Sequence, residues 1–426
     1  MNTLIRVQPP VYPVDKVIIP DAFPFNLVNG VPVYQIEAGT EDIMRLEFTF
    51  RAGQIKEFVP LLSSTTNMML TEGSQNYSSE ELNRLLDFYG VFINLYAERD
   101  RAGVVLFFLS KHIEKVMELS REILFGPVFP EAELNALMKK RLRWFMVNRE
   151  KVQNLATDQF FESVFGKHHQ YGHQATEKDF EMMNPALLGN FHSKYYTREN
   201  MAVIISGKIH QKTSDVLNYY FGDISSRKIY SEDSETFIKG EKRKKVHINK
   251  PGTVQTAVRI GSSTINKRHP DYIGLKILDS VLGGYFGSRL MKNIREEKGY
   301  TYGISSSVTS LDLAGYKIIA TEVGKKNCQK TIEEIYKEIR LLQTVPIPKV
   351  EMEIVRNYMS GEMVRMFDGP FALAESFRSA WEFGLDNSYY HRLAEKIKTI
   401  NPAEIIELAR TYYNIDELYE VTVGAK

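Results

Sequence analysis

Hydrophobic residues along this chain alternate between two periods, two and about 3.6, and the alternation outlines its elements. In "RLEFTFRAG", Leu46, Phe48 and Phe50 face away from Arg45, Glu47 and Thr49, which predicts a half-buried strand ended at Gly53. "EFVPLLSSTTNMML" returns to helical spacing and stops before Gly73. "SSEELNRLLDFYG" predicts a second helix, capped by Ser78 or Ser79, with acids in its first turn and Gly90 at its end. "VFINLYAERDRAGVVLFFLS" reads as two strands around a polar turn, and "KHIEKVMELSREILFGP" as a helix stopped by Gly126 and Pro127. "FPEAELNALMKKRLRWFMVNREKV" predicts a long helix opened by Pro130, and "NMAVIISGKI" a closing strand from Met201.

The second half repeats that order. "TVQTAVRIGSS" is a strand, "DYIGLKILDSVLGG" a helix, "YTYGISSSVTSLDLAGYKIIATEV" two strands, and "NCQKTIEEIYKEIRLLQTVP" a helix. "IPKVEMEIVRNYMSGEM" is a long helix opened by Pro348, and "LYEVTVG" closes the half as a strand. Phe129 and Ile347, before the two long helices, stand 218 apart, and Gly53 and Gly261, after the two first strands, stand 208 apart. A drifting offset with a shared element order points to an old duplication with insertions. The expectation is an α+β fold of two homologous domains, each a mostly antiparallel or mixed sheet with helices packed on one face. The domains are placed at 1–221 and 246–426, joined by a polar linker over 222–245.

Composition narrows the function classes. A chain of 426 residues holds two or three domains at ~100–200 residues each. Lys and Arg number 54 against 53 Asp and Glu, so no net field draws in nucleic acid or an anionic membrane. The basic stretch "KGEKRKKVHINK", Lys239 to Lys250, lacks interleaved aromatics and reads as solvated linker. Cys328 is the single cysteine, which excludes an intrachain disulfide and a Cys-based zinc site. Pro9, Pro10 and Pro13 interrupt the N-terminus where a signal peptide needs an unbroken apolar run, and no run reaches the ~20 residues of a membrane helix. The expected location is the cytoplasm, or the periplasm if a leader was removed.

The chemistry is carried by "LGGYFGSRLMKNIREEKGYTYGISSS", Leu282 to Ser307. Its Gly283-Gly284, Ser288-Arg289-Leu290, Arg295-Glu296, Gly299 and Tyr302 closely resemble the C-terminal-domain signature of the pitrilysin/insulinase zinc metallopeptidases. That family includes the mitochondrial processing peptidases and their bacterial two-chain relatives. "FGKHHQYGHQATEKDF" and "FHSKYYTRENMAVIISGKI" resemble further family segments, so the likeness runs over nearly the whole chain. It implies that the two domains form half of a clam-shell chamber. It also implies an H-x-x-E-H helix in the first half, where histidines at i and i+4 share a helix face and hold zinc while the glutamate takes a proton from the metal-bound water.

Here the chain departs from the family. Met69-Leu70, Gly73-Ser74 and Ser79-Glu80-Glu81-Leu82 fix a register in which the motif falls on Ser64-Thr65-Thr66-Asn67-Met68. Ser64 and Met68 stand for the histidines and Asn67 for the general base. The distal glutamate falls near Arg143 to Phe145, in "RLRWFM", which contains no acid. No metal and no other cofactor is therefore expected in this chain, since a serine and a thioether do not hold Zn²⁺ as imidazoles do. His168, His169 and His173 lie in a family-like loop without a carboxylate at ligand spacing, and His112 and His192 read as structural.

What the resemblance leaves intact is an arginine and a tyrosine seven residues apart, Arg295 and Tyr302, which in the family reach the active site. The arginine grips the substrate backbone and the tyrosine stabilises the oxyanion; the alternative is that Arg295 pairs with an acid such as Glu296 and Tyr302 packs. Gly283 and Gly284 are read as a flexible segment beside substrate; they lack the Lys-Ser/Thr of a phosphate loop. Asn94, Tyr96 and Ala97, in "INLYAERD", resemble the family's edge strand where a peptide adds main-chain hydrogen bonds, though an ordinary paired strand accounts for them equally. The resemblance implies a non-catalytic subunit that pairs with a homologous H-x-x-E-H zinc-bearing chain, binds peptides, and supplies Arg295 and Tyr302 in trans. The alternatives are a proteolytically inactive scaffold and a peptide-binding, chaperone-like homodimer.

Overall fold

A computed structural model describes residues 19–225 and 240–425. The proline-bearing N-terminus up to Val17, and 226–239 of the expected linker, lie outside the described residues. The first half runs β1 (Phe23–Asn26), β2 (Pro32–Glu37), β3 (Ile43–Phe50), α1 (Leu62–Met68), α2 (Ser79–Phe88), β4 (Phe92–Ala97), β5 (Ala102–Leu109) and α3 (Ile113–Phe125). It continues through α4 (Glu131–Arg149), α5 (Val152–Phe165), α6 (Glu177–Met182), α7 (Pro185–Tyr195), β6 (Met201–Gly207) and α8 (Thr213–Phe221). The second half runs β7 (Lys245–Asn249), β8 (Gln255–Thr264), α9 (Tyr272–Asp279), β9 (Thr301–Ser310), β10 (Gly315–Gly324), α10 (Cys328–Thr344) and α11 (Lys349–Met366). It ends with α12 (Gly369–Trp381), α13 (Ser388–Thr399), α14 (Pro402–Tyr412) and β11 (Tyr419–Gly424).

The two sheets share one topology. The first is ordered β1-β2-β6-β3-β5-β4 and the second β7-β11-β8-β10-β9. In each, one parallel pair (β2 with β6, β7 with β11) precedes three antiparallel ones. Apart from the extra hairpin strand β1, strand for strand the second sheet repeats the first, as a duplication leaves them. Local chemistry sets the elements. Ser78 and Glu81 form a reciprocal capping box that starts α2. Leu46, Phe48 and Phe50 of β3 pack into the core under Leu62, Leu70 and Leu82.

The opposite face of each sheet is covered by a helix from the other half. From the first half, α5 lays Ala156, Phe160 and Val164 on Ala257, Val421 and Val423 of the second sheet. From the second, α12 lays Leu373 and Ala374 on Ile36 and Ile204 of the first. The helices thus sit on both faces, one of them borrowed. Glu47 of β3 is buried in this seam; it accepts from Arg45 and Tyr96, both at 2.7 Å, and faces Arg378 of α12 at 3.4 Å.

The basic stretch from Lys239 to Lys250 needs correction. Its Lys245–Asn249 portion is strand β7, paired in parallel with β11. Val246 and Ile248 pack inward while Lys245 stays exposed on the edge strand, a feature that discourages further strand pairing. Among the described residues no helix is long and apolar enough to cross a membrane.

Candidate functional site

Ser64, Asn67 and Met68 lie on α1, whose N-cap Leu61 is held at φ 74°, a left-handed conformation that a branched side chain rarely adopts. Asn67 is 1 % exposed; its amide donates to the Gly103 carbonyl and to the Tyr196 hydroxyl, both at 3.1 Å. Ser64 donates to the Leu61 carbonyl, and Met68 points partly to solvent. Into this position reaches Arg141 of α4, which donates to Ser64 Oγ at 2.8 Å and Thr65 Oγ1 at 2.6 Å. Beneath the first turn, Glu57 accepts from the Ser63 amide at 2.7 Å. Burial pushes Glu57 up to about 7, against the opposing pull of backbone amides and of the Arg141 charge.

This donor set does not fit zinc. Ser64 and Asn67 already hydrogen-bond within the protein, Met68 is a soft thioether, and a guanidinium at bonding distance repels a dication. Among the described residues no group of three or more His, Cys, Asp or Glu is placed to hold a metal. At the distal position, Trp144 is exposed and Phe145 packs on Phe180. Arg141, one turn before Phe145, is the residue sequence reasoning missed; its signal was a cation four residues before the distal position. His169 accepts from the Tyr171 amide at 3.0 Å and is buried against Phe165, and His192 bonds the Leu124 carbonyl at 2.8 Å.

Asn94, Tyr96 and Ala97 lie on β4, which among the described residues pairs with β5 alone and leaves its outer edge open. The Tyr96 side chain is committed inward: it bonds Glu47 and carries the Arg378 guanidinium over its ring at 5.0 Å. Any peptide at this edge meets main chain there rather than that phenol.

In the second half, Gly283 ends in a π-type turn, Ser280–Gly284, and is buried. A Cβ on it would stand 2.7 Å from Ser306 of β9, so here glycine allows close packing rather than flexibility. Gly284 beside it is exposed. Arg289 fixes the segment to α11 through two bonds to Glu351, at 2.7 and 3.0 Å. Asn293 is tied to Glu338 at 2.6 Å. These contacts leave two side chains free. Arg295 lies over the Phe286 ring at 4.5 Å and, among the described residues, meets no carboxylate within salt-bridge distance. Gly299, at φ +63°, turns the chain into β9, and Tyr302 stands 94 % exposed where that strand bulges against β10. Neither the ion pair with Glu296 nor a packed Tyr302 is what the structure contains. Phe286 is also 63 % exposed, so the arginine and an aromatic ring sit together on the surface.

Comparison with known proteins gives a consistent picture. The family model described as Insulinase (Peptidase family M16) matches residues 62–177, and that described as Peptidase M16 inactive domain matches 183–359. An uncharacterized zinc protease, YmxG, of Bacillus subtilis is 22 % identical over 70 % of this chain and 72 % of its own length. The non-peptidase homolog YmxG of Helicobacter pylori is 18 % identical over 84 % and 83 %. Cytochrome b-c1 complex subunit 1 of Rattus norvegicus is 22 % identical over 50 % and 45 %. A crystal structure of a peptidase M16 inactive domain from Pseudomonas fluorescens superposes with a TM-score of 0.83 at 21 % identity, over 95 % of this chain and 98 % of that one.

Proposed function

Because this chain belongs to the insulinase family, peptidase family M16, and carries no catalytic metal motif, we propose that it is the substrate-binding partner in a two-chain zinc peptidase. A homologous chain bearing H-x-x-E-H would supply the zinc, whose chemistry is to activate water against a peptide carbonyl. The observation that carries the reading is Tyr302: a tyrosine 94 % exposed at a strand bulge, seven residues after an arginine that meets no acid among the described residues, in a segment otherwise tied down. Arg295 would grip a substrate carbonyl and Tyr302 would donate to the oxyanion. Gly284 would border the bound peptide, with Gly283 packed beneath it against β9, and the open edge of β4, Asn94 to Ala97, would offer it main-chain hydrogen bonds. The same reading places the complex in the cytoplasm, as a closed chamber around short or unfolded peptides.

The scaffold reading draws on the likeness to a cytochrome b-c1 complex subunit. A scaffold has no use for an exposed Tyr302 and for an Arg295 that meets no acid among the described residues. A peptide-binding homodimer would use the same surfaces without a zinc partner. Co-purification from the native host separates the three. In the purified heterodimer, Tyr302→Phe should lower kcat by roughly 10²–10³-fold, the effect of losing one oxyanion donor. Arg295→Ala should also raise KM, because the guanidinium contacts substrate before the transition state. Wild-type rates from an assembled double variant would leave the scaffold reading standing.

A further inference from the structure

The duplication gives the first-half motif a counterpart. At the offset of 218, Arg141 and Phe145 correspond to Met359 and Met363 of α11; the offset of 208 does not carry over, because Gly261 lies inside β8 rather than after it, and the helix that follows β8 is α9. In the first half the space between the two helices is filled by the Arg141 guanidinium. In the second half Met359 and Met363, with Tyr272 and Lys276 of α9, line an open cavity of about 400 Å³. That volume lies within the range of small-molecule sites.

The lining is of two kinds. Met359, Met363, Met366, Leu393 and Ile397 are apolar. Lys276 and Asp279, one turn apart on the same helix face, are charged. Asp279 is 3 % exposed; its Oδ1 accepts from Ser306 and from Tyr413 at 3.4 Å, and among the described residues Oδ2 has no partner. Burial pushes its carboxyl above the usual range, a burden that a ligand cation would relieve. Lys276 makes no salt bridge or side-chain hydrogen bond among the described residues, and its charge, one turn away, only partly offsets the burial of Asp279. The other charges in the lining are engaged: Lys267 donates to Ser379 at 2.6 and 2.7 Å, and Glu362 pairs with Arg365. The mouth is bordered by Tyr358, which stacks on Tyr285 of the glycine-rich segment at 4.5 Å.

A ligand for this cavity must satisfy a carboxylate and an ammonium at once. A plain amine meets Lys276 with like charge, a plain acid meets Asp279, and an uncharged hydrocarbon leaves both in a half-dry pocket. We propose that the cavity binds a hydrophobic zwitterion, a free α-amino acid or a very short peptide, with its ammonium at Asp279, its carboxylate at Lys276 and its side chain on the methionines. Methionines suit a site that accepts side chains of several shapes. The inference concerns this chain alone and does not rest on a zinc-bearing partner.

Titration calorimetry on the full chain tests it, with leucine, Leu-Leu, leucinamide, N-acetylleucine and N-acetylleucinamide as probes. Saturable binding of leucine or Leu-Leu is expected, about tenfold weaker when either end is blocked, as for loss of a charged hydrogen bond. Leucine binding without Leu-Leu assigns the free amino acid; the reverse assigns the peptide. Lys276→Gln, at a half-exposed position, should weaken the zwitterion about tenfold without loss of fold, and Met359→Trp should block the cavity. No saturation up to about 10 mM, equal binding of the doubly blocked probe, or unchanged affinity in a folded Lys276→Gln would overturn the proposal.

Discussion

Glu57 lies under the first turn of α1, and burial raises its folded pKa to about 7 from an ordinary value near 4.5. A raised folded value means that the protonated form is the one the fold favours. Its contribution is therefore fully present below about pH 4.5 and is lost as pH rises through about 7. Glu57→Gln keeps the shape and removes the charge. Relative to wild type, the variant should gain stability between pH 5 and pH 8, by at most about 3 kcal/mol. Urea unfolding at the two pH values measures this, and an equal difference at both would show that the carboxyl is not what titrates. The neighbouring Arg141 sets a second expectation. Installing Ser64→His, Asn67→Glu and Met68→His together should not yield tight zinc, because the guanidinium remains at the metal position and Phe145 supplies no ligand. Elemental analysis of the dialysed triple variant decides: about one zinc per chain would mean that Arg141 moves aside.

At the scale of elements, Gly283 lets a helical turn approach strand β9 closely. Gly283→Ala would place a Cβ 2.7 Å from the Ser306 backbone nitrogen, which the bulk of β9 does not let shift cheaply. A loss of about 1–3 kcal/mol is expected, seen as a lower thermal midpoint; an unchanged midpoint would show that β9 yields. Sequence legibility divides along the same line. Strand β3 was readable as a strand from its alternation, and α2 from its capping box, because those signals are local; that β3 is buried on both faces, with Arg45, Glu47 and Thr49 covered rather than exposed, was not. The five-residue β7 was not, because four of the five residues before its Val246 are basic and the run looked like solvated linker. Helices α5 and α12 lie in stretches where an apolar stripe names no partner; that each covers the other half's sheet is long-range information. At the site, the loss of the metal residues was legible from the register. The arginine that fills their place was not, since α4 and α1 meet only in three dimensions.

At the scale of the molecule, the exchange of α5 and α12 makes the halves mutual supports. Removing the second half would strip Leu373 and Ala374 from Ile36 and Ile204, and would leave the α5 face of Ala156, Phe160 and Val164 without a sheet. It would also leave Glu47 in a seam without Arg378, a buried carboxylate short of one cation. Each half alone would thus expose an apolar face and strand a charge, which costs more than one domain's marginal stability readily absorbs. The chain should therefore unfold as one cooperative unit although its sheets are separate. A protease site engineered into 226–239 allows a direct trial, because cutting there severs the covalent link and none of the contacts named above. After cleavage the two fragments should co-elute in size-exclusion chromatography at the size of the intact chain and separate only in denaturant. Expressed singly, each should aggregate or bind hydrophobic dye. Two fragments that part in native buffer and each melt cooperatively would show that the borrowed helices are ornaments to independent domains, and that the interlock does not hold the halves in place for a partner.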